Sequence, residues 1–210
     1  MARNFVLGNK GMDSALGEAS VLSLEGELML QCAKGDQGAF DALFERYRDP
    51  ICDYLACCTG DAALAEDLCQ ETFVRMYLNK HRYRAGAPFK PWLFAIATNV
   101  GRDEKRRQRA RSEAALPRDG TGPAEAYRAD ASSPRNAELE RVEVKEAVQS
   151  ALLALPMPLR QAFLLSHREG MSTREVARAV GCSEACARQR ISRALRQLRQ
   201  VLKEYLGERG

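Results

Sequence analysis

Apolar residues recur at three- and four-residue steps through most of this chain, and the pattern breaks once at length, over residues 112–136. Phe40, Leu43, Phe44, Tyr47, Ile51, Tyr54 and Leu55 form one stripe of a helix, with Asp36 after Gly35 as its N-cap. A second helix is expected over residues 61–79, with Leu64, Leu68, Phe73 and Met76 inward. A third begins near Pro88 or Pro91, where proline suits a first turn, and runs through Arg109. The break reads SEAALPRDGTGPAEAYRADASSPRN, whose prolines and glycines mark a linker. Periodicity returns with Ala147, Val148, Ala151, Leu152 and Leu155, stops at Pro156 and Pro158, and resumes over 159–168, 172–180 and 183–205. No alternating strand pattern of useful length is present. The expectation is an all-α fold: a loose leader (1–23), a helical domain (24–111), a flexible linker (112–136) and a second helical domain (137–210).

Apolar runs are short, such as residues 92–97 and 151–155, against the ~18 residues that span a bilayer. No basic patch and apolar stretch mark a secretory leader. Seven cysteines, without CxxC spacing, read as reduced thiols of a cytoplasmic protein. Membrane insertion, a disulfide scaffold and wholesale disorder are disfavoured.

The net charge of +4 conceals alternating blocks. Residues 1–79 carry 6 basic and 13 acidic side chains, and residues 80–111 carry 10 and 2. Residues 112–155 carry 5 and 8, and residues 156–210 carry 11 and 5. Two basic blocks separated by an acidic one suit two contacts with a polyanion, leaving an acidic N-terminal surface for another partner. Charge alone fits solvated helix faces equally well.

The strongest local pattern is STREVARAVGCSEACARQRISRALRQLRQVL, residues 172–202. Ser172 with Glu175 makes a capping box, Val176, Ala177 and Val180 face inward, and Gly181 supplies a turn. Ser183 caps a longer helix with an inner stripe of Ala187, Ile191, Ala194, Leu195, Leu198 and Leu202. That order is a helix-turn-helix, whose second helix enters the DNA major groove. Arg188, Gln189, Arg190 and Arg193 offer groups that grip phosphate or read guanine, and Glu184 can accept from cytosine.

In PFKPWLFAIATNVGRDEKRR, residues 88–107, Trp92, Leu93, Ile96, Ala97 and Val100 form one face, and Asn99, Arg102, Asp103 and Arg106 the opposite one. An asparagine among arginines, beside Tyr83, Phe89, Trp92 and Phe94, suits unpaired bases, since aromatic rings stack bases at ~1–3 kcal/mol each. Trp92 and Phe94 fit a core role better, so the functional reading rests on Asn99 and the arginines. In AEDLCQETFVRMY, residues 65–77, Asp67, Gln70 and Glu71 share an outward face that alone would read as solvated.

In this order the three pieces resemble the sigma factors of bacterial RNA polymerase, in the small extracytoplasmic-function group, over about residues 24–205. GDQGAFDALFERY resembles the start of the family's first domain, and AEDLCQETF the helix that docks on the beta-prime clamp helices. FKPWLFAIATN with RDEKRR resembles the element that melts and reads the minus-ten sequence, and the helix-turn-helix the reader of the minus-thirty-five element. The resemblance implies polymerase docking by Asp67, Gln70 and Glu71. It implies a flipped-base pocket lined by Asn99 and walled by residues 81–88, with Arg102, Arg106 and Arg107 on the strand backbone. It also implies minus-thirty-five contacts by Arg174, Ser183, Glu184, Arg188, Arg190 and Arg193. Ala185, Cys186 and Ala187 stand where many relatives carry Gly-Thr-Val, a departure that bears on base contacts rather than on fold.

The implied protein is a promoter-specificity subunit without catalysis or cofactor. Its partners are core RNA polymerase (beta-prime clamp helices and beta subunit), promoter DNA and an anti-sigma factor. The 25-residue linker reaches at most about 80–90 Å, against about 70 Å for the two helical turns of DNA separating the promoter elements. The rival is a stand-alone helix-turn-helix regulator, for which no dimerisation element is evident. An enzyme is weaker still, since only His81 and His167 are available and no nucleophile or metal motif is present. Cys182 and Cys186, and the cluster Cys52, Cys57 and Cys58, leave a thiol sensor open beside the commoner reading of inert buried cysteine.

Overall fold

A computed structural model describes residues 23–115 and 137–207, and within them the secondary structure is helical. The leader up to residue 22 and linker residues 116–136, including the flexibility expected there, lie outside the described residues.

Four helices make the N-terminal half: α1 (Leu24–Ala33), α2 (Gln37–Thr59), α3 (Ala62–Leu78) and α4 (Phe89–Ala115). Short polar side chains start the first three. Ser23 Oγ accepts from the Gly26 amide at 3.2 Å, Asp36 from Ala39 at 3.1 Å and Asp61 from Leu64 at 3.0 Å. Gly60 ends α2 at φ +81°, a backbone that side chains disfavour. The expected stripe of α2 is the inward one: Leu43, Ile51, Tyr54 and Leu55 are completely buried, against Leu68, Phe73 and Met76 of α3 and Leu93, Ala97 and Val100 of α4.

Four more helices follow: α5 (Ala137–Ala154), α6 (Met157–Phe163), α7 (Thr173–Val180) and α8 (Glu184–Gly207). A π-helical turn, Leu164–Arg168, continues α6. The capping box is formed in both directions: the Glu175 amide donates to Ser172 Oγ at 3.3 Å, and the Ser172 amide donates to Glu175 Oε2 at 2.8 Å. Gly181 makes the turn at φ +68°, and Ser183 Oγ accepts from the Cys186 amide at 3.2 Å.

Two expectations change. α4 runs to Ala115, six residues past Arg109 and into the expected linker; the Arg109 Nε–Glu113 Oε1 pair at 2.8 Å, one turn apart, supports the added length. The two halves also pack on each other, α4 against α7 and α2 against α5 and α6, so their buried side chains form one core. Met157 Cε lies 3.9 Å from the position a Cβ would take on Gly101, showing how closely α6 approaches α4.

Candidate nucleic-acid interface

The α4 face expected to carry Asn99, Arg102, Asp103 and Arg106 together is divided. Asn99 and Arg106 point to solvent along its middle. Asp103, on one flank, accepts from Arg75 Nη1 of α3 at 2.9 Å and pairs with Arg106 at 3.6 Å. Arg102, on the other flank, faces the C-terminal half. Its Nε donates to Gln161 Oε1 at 2.9 Å and its Nη2 to the Val180 carbonyl at 3.1 Å. Burial lowers the basicity of Arg102, and the nearby Arg190 acts in the same sense.

Arg107 is also engaged, pairing with Glu71 and Glu104 at 3.3 Å each. Glu71 in turn holds Arg75 at 2.6 Å. The hydrogen bond to Asp103 is the main reason the Arg75 guanidinium is held more basic than usual, with Glu71 adding to it. The basic side chains of the α4 tail, Lys105, Arg106, Arg107, Arg109 and Arg111, are all exposed.

The aromatics beside Asn99 are core. Phe94 and Phe89 are essentially buried, and Tyr83, Phe89 and Trp92 meet edge to face or tilted, Tyr83 and Trp92 at 5.2 Å. They stiffen the start of α4 and its approach loop rather than presenting stacking faces.

On α3, Asp67 and Gln70 are exposed while Glu71 is half-buried in the ion network. The same face continues onto Val74, Tyr77 and Leu78, all exposed, and with Phe40, Phe44 and Phe73 they line a groove of about 600 Å³. Sequence reasoning missed this extension. Its signal was available: the FVRMYL run holds more apolar residues than one inward face accommodates.

On α8, Ala187, Ala194 and Leu198 are buried, and Arg188, Gln189, Ser192, Arg193 and Arg196 are exposed on the outer side. Arg196 and Arg199 extend the basic stripe beyond the residues singled out from sequence. Arg190 departs from it, half-buried on the flank toward Cys182 and Arg102. Arg174 and Glu184 are both exposed and 3.8 Å apart.

All seven cysteines are free. Burial pushes the Cys58 thiol up to about 12 and, together with contact to Cys186, raises Cys182. Neutral thiols of this kind lack the lowered pKa of reactive ones. Among the described residues no three of His, Cys, Asp and Glu converge on a metal-sized space, and no helix is long and apolar enough to cross a membrane.

Residues 43–111 match the family model of Sigma-70 region 2, and residues 145–198 that of Sigma-70, region 4. The RNA polymerase sigma factor CarQ of Myxococcus xanthus is 36% identical over 170 residues, covering 81% of this chain and 92% of its own. The ECF RNA polymerase sigma factor SigW of Bacillus subtilis is 29% identical over 177 residues, covering 83% and 94%. Among solved structures, CnrH in complex with the cytosolic domain of CnrY aligns at a TM-score of 0.64 and 27% identity, over 86% of this chain and 97% of its own. The chain belongs to the sigma-70 family of RNA polymerase sigma factors, in its extracytoplasmic-function group.

Proposed function

We propose that the chain is a promoter-specificity subunit: it binds core RNA polymerase, brings it to promoters with two elements and helps melt the minus-ten element to start transcription. The observation that carries this reading is the pairing of two separate exposed polar and basic surfaces on one chain. One is the α4 face with exposed Asn99 and the basic tail, and the other is the α8 stripe beyond a capped helix-turn-helix. A stand-alone regulator needs only the second, and the region 2 match extends over most of the N-terminal half.

On this reading Asp67 and Gln70 meet the polymerase clamp helices, and the groove of Phe40, Val74 and Tyr77 beside them adds apolar contact area. Glu71 orients that surface through Arg75 and Arg107. Asn99 receives a base leaving the stack, offsetting part of an unstacking cost of a few kcal/mol. Arg106 and exposed neighbours follow the strand backbone, while Arg188 and Arg193 enter the major groove of the second element with Ser183, Glu184 and Arg174 at its edge. The protein would act by binding, in the cytoplasm, with no chemistry of its own. The solved complex of CnrH with the cytosolic domain of CnrY supports a protein partner here as well, which we read as an anti-sigma factor.

The test is transcription in vitro by core polymerase with and without the chain on a promoter library, sequencing the transcripts. Initiation dependent on the chain, from a shared two-part motif, is expected. Duplex binding without any initiation would leave the stand-alone regulator. Asn99→Ala is expected to reduce initiation more than polymerase binding; equal losses would remove Asn99 from the base pocket.

A further inference from the structure

Cys186 opens onto a groove of about 720 Å³ along the outer side of α8, shared with Arg188, Gln189, Ser192, Arg193 and Arg196. It is a half-buried thiol set among arginines, on the surface proposed for the minus-thirty-five element. Four residues earlier Cys182, also half-buried, lies against it with the two thiols in hydrogen-bond contact. The pair brackets the start of the helix. Cys182 Sγ donates to the Ser183 carbonyl at 3.4 Å, and the Cys186 amide donates to Ser183 Oγ at 3.2 Å. Cys69 touches Cys52 in a similar way between α3 and α2, but Cys69 is buried and neither lines the α8 groove.

We propose that Cys182 and Cys186 form a dithiol switch, closed to a disulfide by anionic low-molecular-weight disulfides, which withdraws α8 from promoter DNA. The consequence for DNA rests on the promoter-subunit reading; the thiol chemistry does not.

Cys186 is the entry thiol, because the groove admits a small molecule and its arginines draw in carboxylates. The Cys186 thiolate attacks one sulfur of the small disulfide. That S–S bond breaks, a mixed disulfide forms on Cys186, and one small thiolate leaves and takes a proton. Cys182, kept protonated at rest by burial, supplies the second thiol, and nearby Arg190 and Arg102 favour its thiolate. It gives its proton to water and attacks the Cys186 sulfur, expelling the second small thiol. Two protein thiols are oxidised and one small disulfide is reduced to two thiols, with no other reactant. The new bond spans Ser183, whose hydroxyl and carbonyl both serve the first turn of α8, so closing it shifts that turn. Arg188 and Gln189 follow within one turn of Cys186, and losing one bidentate base contact weakens binding about ten-fold or more.

The test incubates the full chain with glutathione disulfide and maps its tryptic peptides. Residues 179–188 make one such peptide, holding both thiols and no other cysteine, so the internal bond makes it two hydrogens lighter and proof against alkylation. This peptide should oxidise ahead of those carrying Cys52, Cys57 or Cys69, and excess promoter duplex, by covering Cys186, should slow it. The oxidised chain should bind that duplex about ten-fold more weakly in a gel shift, and a dithiol reductant should restore binding. Cys182→Ala should stop at the glutathione adduct on Cys186. Cys182→Ala/Cys186→Ala, compared with its own reduced form, should bind equally well after treatment. A 179–188 peptide that stays reduced, carries adducts without the internal bond, or oxidises with duplex binding unchanged would overturn the switch. Failure of the promoter-subunit reading shows separately, as reduced wild type that neither binds promoter duplex nor supports initiation, while the peptide map still decides the thiol chemistry.

Discussion

Arg160 is the side chain whose removal the structure makes most costly. It is 5% exposed, and its guanidinium donates to three carbonyls, those of Cys58 in α2, Leu153 in α5 and Leu155 just beyond it, the last at 2.9 Å. Its Nε makes no hydrogen bond. Burial lowers its basicity, so the charge is present at a desolvation cost that the three acceptors offset. Arg160→Met removes both sides of that balance. Three carbonyls lose a partner at about 1–3 kcal/mol each, while the several kcal/mol spent on burying the guanidinium are recovered. A net destabilisation of about 2–4 kcal/mol follows. Arg160→Lys keeps a buried charge, and its compact ammonium cannot fork between carbonyls on two helices, so its cost should be about 3–5 kcal/mol.

At about 2–4 °C per kcal/mol for a chain of this size, the melting temperature should fall by roughly 5–15 °C in both variants, with lysine no better than methionine. Thermal melts followed by circular dichroism read this directly. A lysine variant as stable as wild type would refute the fork argument. A methionine variant within about 2 °C of wild type would show that the three bonds contribute nothing net.

Tyr54→Phe removes the hydroxyl that bonds Thr98 Oγ1 at 2.9 Å in the buried α2–α4 contact and should cost about 1 kcal/mol by urea denaturation; with Thr98→Val added, the pair should cost less than the sum of the single changes. Gly181→Ala meets no atom within 4 Å but forces a side chain onto a φ of +68°, so about 1–2 kcal/mol should be lost without change in helix content, and Gly181→Asn should lose less. Cys58, pushed up to about 12 from 9.0 by burial, contributes stability that is complete below pH 9 and lost as pH rises from 9 towards 12. Unfolding free energies from urea melts at pH 8 and pH 10.5 should fall in the wild type, by about 1.4 kcal/mol per pH unit from this thiol above pH 9, and fall less in Cys58→Ala; equal declines would place the alkaline loss elsewhere.

Much of the fold was legible because its signals are local. Asp36, Ser172, Glu175 and Gly181 act within one turn of where they stand, and the α2 stripe needs only the helical repeat to be seen. Residues 110–115 were harder, since their helical state continues α4, with the Arg109–Glu113 pair adding a little, into a segment whose prolines lie further on. The packing of the two halves was not legible at all. Gln161 reads as an ordinary polar residue of a short helix, and only the approach of α4 gives it two partners.

The site divides along the same line. Periodicity puts Asn99, Arg102, Asp103 and Arg106 on one side of α4, but a face some 100° wide has flanks, and a second helix can cover either one. α3 claims Asp103 through Arg75, and the end of α7 claims Arg102. Sequence pattern gives a residue its direction from the helix axis and says nothing of what arrives there. Glu71 shows the consequence. Assigned to polymerase docking by its position on α3, it bonds Arg75 and Arg107 and so joins α3 to α4, the helices proposed here for docking and for DNA. Glu71→Gln should therefore disturb both surfaces, whereas Asp67→Asn, exposed and off that network, should disturb docking alone. The difference between those two neighbours separates a contact residue from one that acts by holding α3 and α4 in register.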